Sequence, residues 1–487
     1  ALEVFLFGTC VAYVENLLSL CRFFSVRTMK NKVTSTFLFA LLVAGGLLAM
    51  YFLPVLKVGG YTLRKVDLLS DLRPDPVEEV LADSDSLVLP PVVKPAFVDT
   101  CKTGMTCIED YADSTMRGMS HFYEALSACP TLHRPVRIAY FGDSFIEGDI
   151  LTADLRAMLQ SRFGGCGVGY VPVTSRVAGF RPTVKHTFSG WKTHSVTDSV
   201  GFNRRLQDLS NHYYYPSPGA RVTLKGLGTY ADHLGACEAS SFYFVSLDSI
   251  RLSAVLNQGA DTVSYAFAGD SLLQAATVQE DIRSVEWRVE HTDSTAICYG
   301  VTMDPSSGIV VDNFSTRGSS GQQLGGVPMP MLRAYNRLRT YDLIVLQYGL
   351  NVASEGITNY RYYTSEMVKV INRLKEAFPQ ASFLLVSIGD RESKDETGKL
   401  RTMPGVKNLV RYQQALAAET HIAFWNLYEA MGGEGSIVKM VESKPQMANY
   451  DYTHINFRGG KHLAGLLFET LMYGKEQHEK RKAYENE

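Results

Sequence analysis

A serine, a histidine and an aspartate can together attack an ester, because the hydroxyl must lose its proton to a base active near neutral pH and a carboxylate can orient and stabilise that base. The sequence carries such a set near its two ends. Arg137-Ile-Ala-Tyr-Phe-Gly-Asp-Ser-Phe-Ile-Glu-Gly-Asp149 puts Ser144 where a short apolar strand, Arg137–Phe141, gives way to a glycine-flanked turn and a helix from about Leu151. An Oγ placed there sits at the carboxyl end of a sheet, and the following helix N-terminus favours developing negative charge. Asn449-Tyr-Asp-Tyr-Thr-His-Ile-Asn-Phe-Arg-Gly-Gly460 then supplies Asp451 and His454, three residues apart. Taken singly, Gly-Asp-Ser is a common turn with Ser144 as a helix N-cap, and Asp-x-x-His is more often a surface or capping pair. Their combination changes the odds.

Two further pieces lie between these ends. Thr316-Arg-Gly-Ser-Ser-Gly321 follows the apolar strand Ile309–Val311, and Tyr348-Gly-Leu-Asn351 follows the strand Leu343–Gln347. An acyl-transfer intermediate carries an oxyanion, for which a glycine N–H and an asparagine amide are suitable donors. The plainer reading is two turns, with glycine for positive φ and Asn351 as a cap.

The four pieces, in this order, resemble the Ser-Gly-Asn-His (SGNH) hydrolases, also called GDSL-type esterases, over Arg137–Val173 and about Val310–Leu471. The resemblance implies a flavodoxin-like three-layer α/β/α fold with a parallel sheet. It implies Ser144 as nucleophile, His454 as base and Asp451 as its orienting partner. The oxyanion hole it implies is the Ser144 backbone N–H, Asn351 and one glycine of the second piece. Alignment with the family's Asn-x-Gly-x-x-Gly selects Gly321, with Gly318 as the alternative. No metal or cofactor is implied. The chain departs from the family in reading Gly-Asp-Ser-Phe, in lacking an acidic residue after Asn351, and in having Thr316 where asparagine is usual.

A narrower resemblance rests on Gly142–Arg156, then Phe163-Gly-Gly-Cys-Gly-Val-Gly-Tyr-Val-Pro172, then a β-rich stretch before the second piece. That layout is similar to the peptidoglycan O-acetylesterases, exported bacterial enzymes whose esterase fold is interrupted by a carbohydrate-binding-module-like β-domain. They remove acetyl from the C6 hydroxyl of muramic acid.

The elements around these residues follow from texture. With 487 residues, 46% of them hydrophobic and 20% charged, the chain can bury a sizeable core and exceeds one minimal domain. A net charge of −2 offers no field for a nucleic-acid backbone, so no nucleic-acid partner is expected. Residues 35–56 hold no charged side chain and are long enough to cross a bilayer as a transmembrane helix. Arg22, Arg27, Lys30 and Lys32 before them predict a cytoplasmic N-terminus and an exported remainder, although Lys57, Arg64 and Lys65 oppose that bias. Leu2–Phe24, apolar in patches, is an amphipathic helix, a weak second span or a mis-assigned start.

We therefore expect an anchor region at 1–57, a proline-rich stalk and helical lead-in at 58–135 with a helix over Ile108–Ser127, a first hydrolase part at 136–179, a β-sandwich-like insert at 180–310, a second hydrolase part at 311–475, and a charged tail at 476–487. Cys101 and Cys107 are spaced to close a short loop if the compartment is oxidising, as a bacterial periplasm outside the inner membrane would be.

The expected function is removal of O-acetyl groups from a cell-envelope polysaccharide, with O-acetylated peptidoglycan as the partner. A polysaccharide O-acetyltransferase with the same triad and a non-catalytic glycan-binding protein are the rivals. Glu147 and Asp149 either line the site or cap the next helix. Trp191 and Tyr213–Tyr215 are taken as packing rather than sugar platforms, and His186, His194, His212 and His233 as surface histidines.

Overall fold

The computed structural model describes residues 36–43, 45, 57–58, 61–62, 97–112, 118–198, 200–292 and 294–486. The chain divides into two units, Ala1–Lys94 and Pro95–Glu487. In the first, 36–43 form an exposed helix, and Lys57–Val58 pairs antiparallel with Tyr61–Thr62. Most of the expected span at 35–56, the Leu2–Phe24 segment and most of the stalk lie outside the described residues. No described helix is long and apolar enough to cross a membrane.

Largely apolar runs build a parallel sheet in the second unit, from β2 (Val136–Gly142), β12 (Ile309–Ser315), β13 (Leu343–Gln347), β14 (Ser382–Val386) and β15 (Ala423–Trp425). Their spatial order is β12-β2-β13-β14-β15, and β1 (Glu109–Asp110) adds antiparallel to β15. Counted along the chain the parallel strands run 2-1-3-4-5, the flavodoxin-like order, whose crevice opens beside the first strand. β13 and β14 are buried at every residue, which requires helices on both faces. The helices form two packed groups. One is α1 (Ser120–Ala128), α2 (Thr152–Phe163) and α6 (Phe457–Asn486); the other is α3 (Met329–Leu338), α4 (Arg361–Ala377) and α5 (Pro404–Glu419).

Nine antiparallel strands form a separate sheet with its own apolar core. They are β3 (Gly169–Pro172), β4 (Val184–Ser195), β5 (His212–Gly226), β6 (Cys237–Ser246), β7 (Ile250–Leu256), β8 (Asp261–Phe267), β9 (Asp270–Ile282), β10 (Ser284–His291) and β11 (Ile297–Met303). The path β8-β7-β10-β5-β11-β6-β9 curls over itself: Trp287 on β10 donates its indole N–H to Ser240 Oγ on β6 at 2.9 Å, and Phe267 on β8 meets Phe244 on β6. The sheet begins at Gly169, ahead of residue 180, because β3 finds its partner in β11; β12, starting at Ile309, pairs with β2 in the parallel sheet. The two ends of this excursion meet, since Ile309 N–H donates to Gly164 O at 3.0 Å and a Cβ on Gly308 would lie 2.2 Å from Gly165 N.

One local expectation is corrected. The helix expected over Ile108–Ser127 starts only at Ser120, because Asp110 accepts the N–H groups of Ala112 and Met119 and its strand pairs with β15. The tail continues α6 and buries Gln477 and His478, which meet Thr100 and Tyr123. Cys101 and Cys107 form a disulfide.

Candidate active site

Register places the site. Gly142 on β2 pairs with Ser315 on β12 and with Gln347 on β13, so the loops after the three strands leave the sheet level with one another. Gly142 admits no side chain, since a Cβ would press to 2.9 Å on Ile146 and 3.0 Å on Gln347 O. The chain then turns through Asp143 and Ser144 into the short turn Glu147–Asp149 and α2.

Asp143 is buried, and its Oδ1 accepts the Phe145 N–H at 2.9 Å. Burial pushes its pKa up to about 6, against the pull of the Phe145, Leu350 and Gly349 amides. Its Oδ2 is buried and has no hydrogen-bond partner among the described residues.

From the other end of the chain, the loop before α6 is pinned by Asn449 N–H to His454 O at 2.8 Å and by Glu392 N–H to Tyr452 O at 3.0 Å. Gly460, in the first turn of α6, presses against Ile150, whose carbonyl would lie 1.8 Å from a Cβ there. These contacts bring the expected trio together. Ser144 Oγ is 2.9 Å from His454 Nε2, and His454 Nδ1 is 2.8 Å from Asp451 Oδ2. Asp451 Oδ1 also accepts the N–H groups of Thr453 and His454, each at 3.0 Å. Burial opposes ionisation of Asp451, but the His454 and Thr453 bonds outweigh it and hold the pKa below the usual carboxylate range. A carboxylate on Nδ1 fixes the proton there and leaves Nε2 to accept from the serine hydroxyl.

Ser319, which sequence reasoning missed, stands between the expected oxyanion donors. Its carbonyl accepts from Asn351 Nδ2 at 3.0 Å, and its Oγ accepts the Gly321 N–H at 3.1 Å. Asn351 keeps a second amide hydrogen. Gly318 and Gly321 both have positive φ, 79° and 88°. Gly318 has open space around its Cβ position, whereas Gly321 packs on Tyr348.

The acidic residues behind Ser144 are both engaged. Glu147 is gripped through both oxygens by Arg317, which precedes Gly318. Asp149 is fully buried and accepts from Thr152 and Thr183 hydroxyls and from Arg156 and Arg181. Burial opposes its ionisation, but the two guanidiniums hold its pKa far below the usual range. Only the arrangement in space reveals this hub, because Arg181 arrives from beyond the first hydrolase segment.

Among the discounted residues, Tyr213 and Tyr214 are core and Trp191 donates to Arg221 O. His186 is buried, not a surface histidine. Its Nε2 meets Val173 O at 3.1 Å, and burial pushes its pKa down to about 4.

No protein-family model matches the chain, and no curated protein matches it. Among solved structures, a peptidoglycan O-acetylesterase is similar at 20% identity over 76% of this chain and 99% of that one, with a TM-score of 0.62. A family two carbohydrate esterase from Cellvibrio japonicus matches at 10% identity over 62% of this chain and 98% of that one, TM-score 0.24. A GDSL-like lipase from Parabacteroides merdae matches at 13% identity over 34% and 74%, TM-score 0.26. The chain shares the fold of that peptidoglycan O-acetylesterase structure, and in this chain the parallel sheet is interrupted by an antiparallel domain.

Proposed function

We propose that the chain is a serine esterase that removes O-acetyl groups from a cell-envelope polysaccharide, peptidoglycan acetylated on the muramic acid C6 hydroxyl. The observation that carries this reading is the unbroken hydrogen-bond chain from Ser144 through His454 to Asp451. The fold shared with a peptidoglycan O-acetylesterase supports the choice of substrate.

Ser144 Oγ attacks the acetyl carbonyl while His454 Nε2 takes its proton, and Asp451 stabilises the imidazolium. The oxyanion is met by the Ser144 N–H, the spare amide hydrogen of Asn351 and the N–H of Gly318, since that of Gly321 is already given to Ser319 Oγ. As the tetrahedral intermediate collapses, His454 returns the proton to the departing sugar oxygen and leaves acetyl on Ser144. Water, deprotonated by His454, then attacks that ester, and acetate departs as Ser144 recovers its proton.

The proposed setting is a bacterial inner membrane with the catalytic unit in the periplasm, anchored by residues 35–56. The charge-free run and the Cys101–Cys107 disulfide support it. Acetate release from O-acetylated peptidoglycan and from an O-acetylated glucan, by the chain and by Ser144→Ala, tests the function. Release by the native chain alone, chiefly from peptidoglycan, is expected. Acetyl appearing on an added oligosaccharide acceptor would instead make it a transferase, and no Ser144-dependent release would overturn the reading.

A further inference from the structure

β14 lies beside β13 in the parallel sheet, and the chain leaving its carboxyl end carries Asp390, Arg391 and Glu392. This segment is firmly anchored. Asp390 is fully buried; its Oδ1 accepts the Thr402 hydroxyl at 2.8 Å and its Oδ2 the Ile437 N–H at 3.0 Å. Met403 N–H donates to Arg391 O at 2.8 Å, and Glu392 opens a short antiparallel hairpin, Glu392–Lys394 against Leu400–Thr402.

From that anchorage two consecutive residues reach two different parts of the site. Arg391 Nη1 donates to Leu350 O at 2.9 Å and meets Ala353 O at 3.4 Å. Leu350 O shares its peptide plane with the Asn351 N–H, so this bond fixes the plane from which the Asn351 side chain springs. Glu392 N–H donates to Tyr452 O at 3.0 Å, and the peptide plane of that carbonyl ends in the Thr453 N–H, which Asp451 Oδ1 accepts. One residue therefore holds the oxyanion turn and the next holds the turn of the acid and base.

The Cα atoms of neighbouring residues are about 3.8 Å apart across a trans peptide, so these two loops, distant in the chain, are tied to points one peptide apart. The oxyanion turn also packs hard on the same segment, since a Cβ on Gly349 would lie 2.6 Å from Ile388 Cβ. An arginine suits the junction. One guanidinium nitrogen carries two hydrogens in a fixed plane and can serve two carbonyls of a single turn, where an ammonium would have to swing between them.

From these contacts we infer that Arg391 is a positioning residue for ester hydrolysis, acting through Asn351: it holds the oxyanion turn in register with the loop that carries Asp451 and His454. The inference rests on the esterase reading. Arg391 itself touches neither the nucleophile nor the base; its work is to keep the Asn351 amide aimed where the oxyanion forms.

The test is steady-state hydrolysis of para-nitrophenyl acetate by the full chain, native and carrying Arg391→Ala, Arg391→Lys, Asn351→Ala, or Arg391→Ala together with Asn351→Ala. Arg391→Ala should lower kcat by on the order of 30–100-fold, less than outright loss of an oxyanion donor, with KM within about threefold of native. Arg391→Lys, which keeps a donor for Leu350 O, should stay within about fivefold of native. Because the residue acts through Asn351, adding Arg391→Ala to Asn351→Ala should cost less than about threefold more. A kcat for Arg391→Ala within threefold of native, a loss carried by KM, or losses that multiply in the double variant each overturn the assignment. If urea unfolding shows that Arg391→Ala does not fold, Arg391→Gln takes its place in the same cycle with the same limits. Failure of the esterase reading looks different: the native chain and Ser144→Ala then hydrolyse the ester equally slowly, whatever stands at position 391.

Discussion

Ser144 Oγ lies 2.9 Å from His454 Nε2 although 310 positions separate the two residues. Because Asp451 meets the other ring nitrogen, the three act as one unit. Ser144→Ala and His454→Ala should each lower kcat for acetate release by on the order of 10⁴-fold or more. Asp451→Asn, which keeps the size but favours the wrong imidazole tautomer, should cost on the order of 10³–10⁴-fold. Losses that multiply when Ser144→Ala and His454→Ala are combined would show that the residues act independently.

The buried carboxylate beside the nucleophile makes stability depend on pH. Asp143 has its pKa raised to about 6 in the folded chain, so the folded state holds its proton where the unfolded chain, near the ordinary 3.8, has lost it. Stability from this group is complete below pH 3.8 and declines as pH rises to about 6, by up to about 3 kcal/mol. Asp143→Asn has no proton to lose there. The urea midpoint of the native chain, relative to that variant, should fall between pH 4 and pH 6 and then level off. A constant difference across this range would contradict the assignment.

Asn351 and Ser319 separate an oxyanion donor from the scaffold that holds it. Asn351→Ala removes the amide and should lower kcat by on the order of 10²–10³-fold with little change in KM. Ser319→Ala keeps the main-chain carbonyl that anchors Asn351 and should cost less than about tenfold. Steady-state kinetics on one soluble acetyl ester will tell the two apart; equal losses would place the effect in the loop and not in the amide.

Arg339 joins the two sheets. Its side chain is 1% exposed and binds Asp304, just after β11, and Asp312, on β12. Tyr341 and the Tyr170 N–H complete the Asp312 shell. Arg339→Met leaves two buried carboxylates without their cation and should destabilise the fold by roughly 3–5 kcal/mol in chemical denaturation. Substituting the exposed Arg333, whose pair with Glu376 is solvated on both sides, should change stability by less than about 1 kcal/mol.

The legible parts of this chain are those with a local signature. Leu343–Gln347 and Ser382–Val386 are apolar without alternation, as strands covered on both faces must be, and the Ser144, Asp451 and His454 types follow from what attack on an ester demands. What escaped depends on distant partners. β3 declares itself only through β11, and Ser319 matters because Asn351 and Gly321 converge on it. His186 looks like any polar residue until Val173 O and the insert cover it. The helix expected over Ile108–Ser127 had suitable apolar spacing, but Asp110 offered the backbone a competing set of bonds.

The contact between Gly164 and Ile309 bears on the order in which the molecule assembles. β2 cannot pair with β12 until the whole stretch between them has closed into a loop, and closure entropy grows only slowly with length. Once the insert has condensed on its own core, it turns that long loop into a rigid staple whose two ends already touch, and the strand that carries the nucleophile can dock at little further cost. Amides of β6 and β10 should therefore gain protection from exchange before those of β2 and β12 during refolding. The reverse sequence would mean that the parallel sheet recruits its distant strand unaided, and that the inserted domain is a passenger in the assembly of the site.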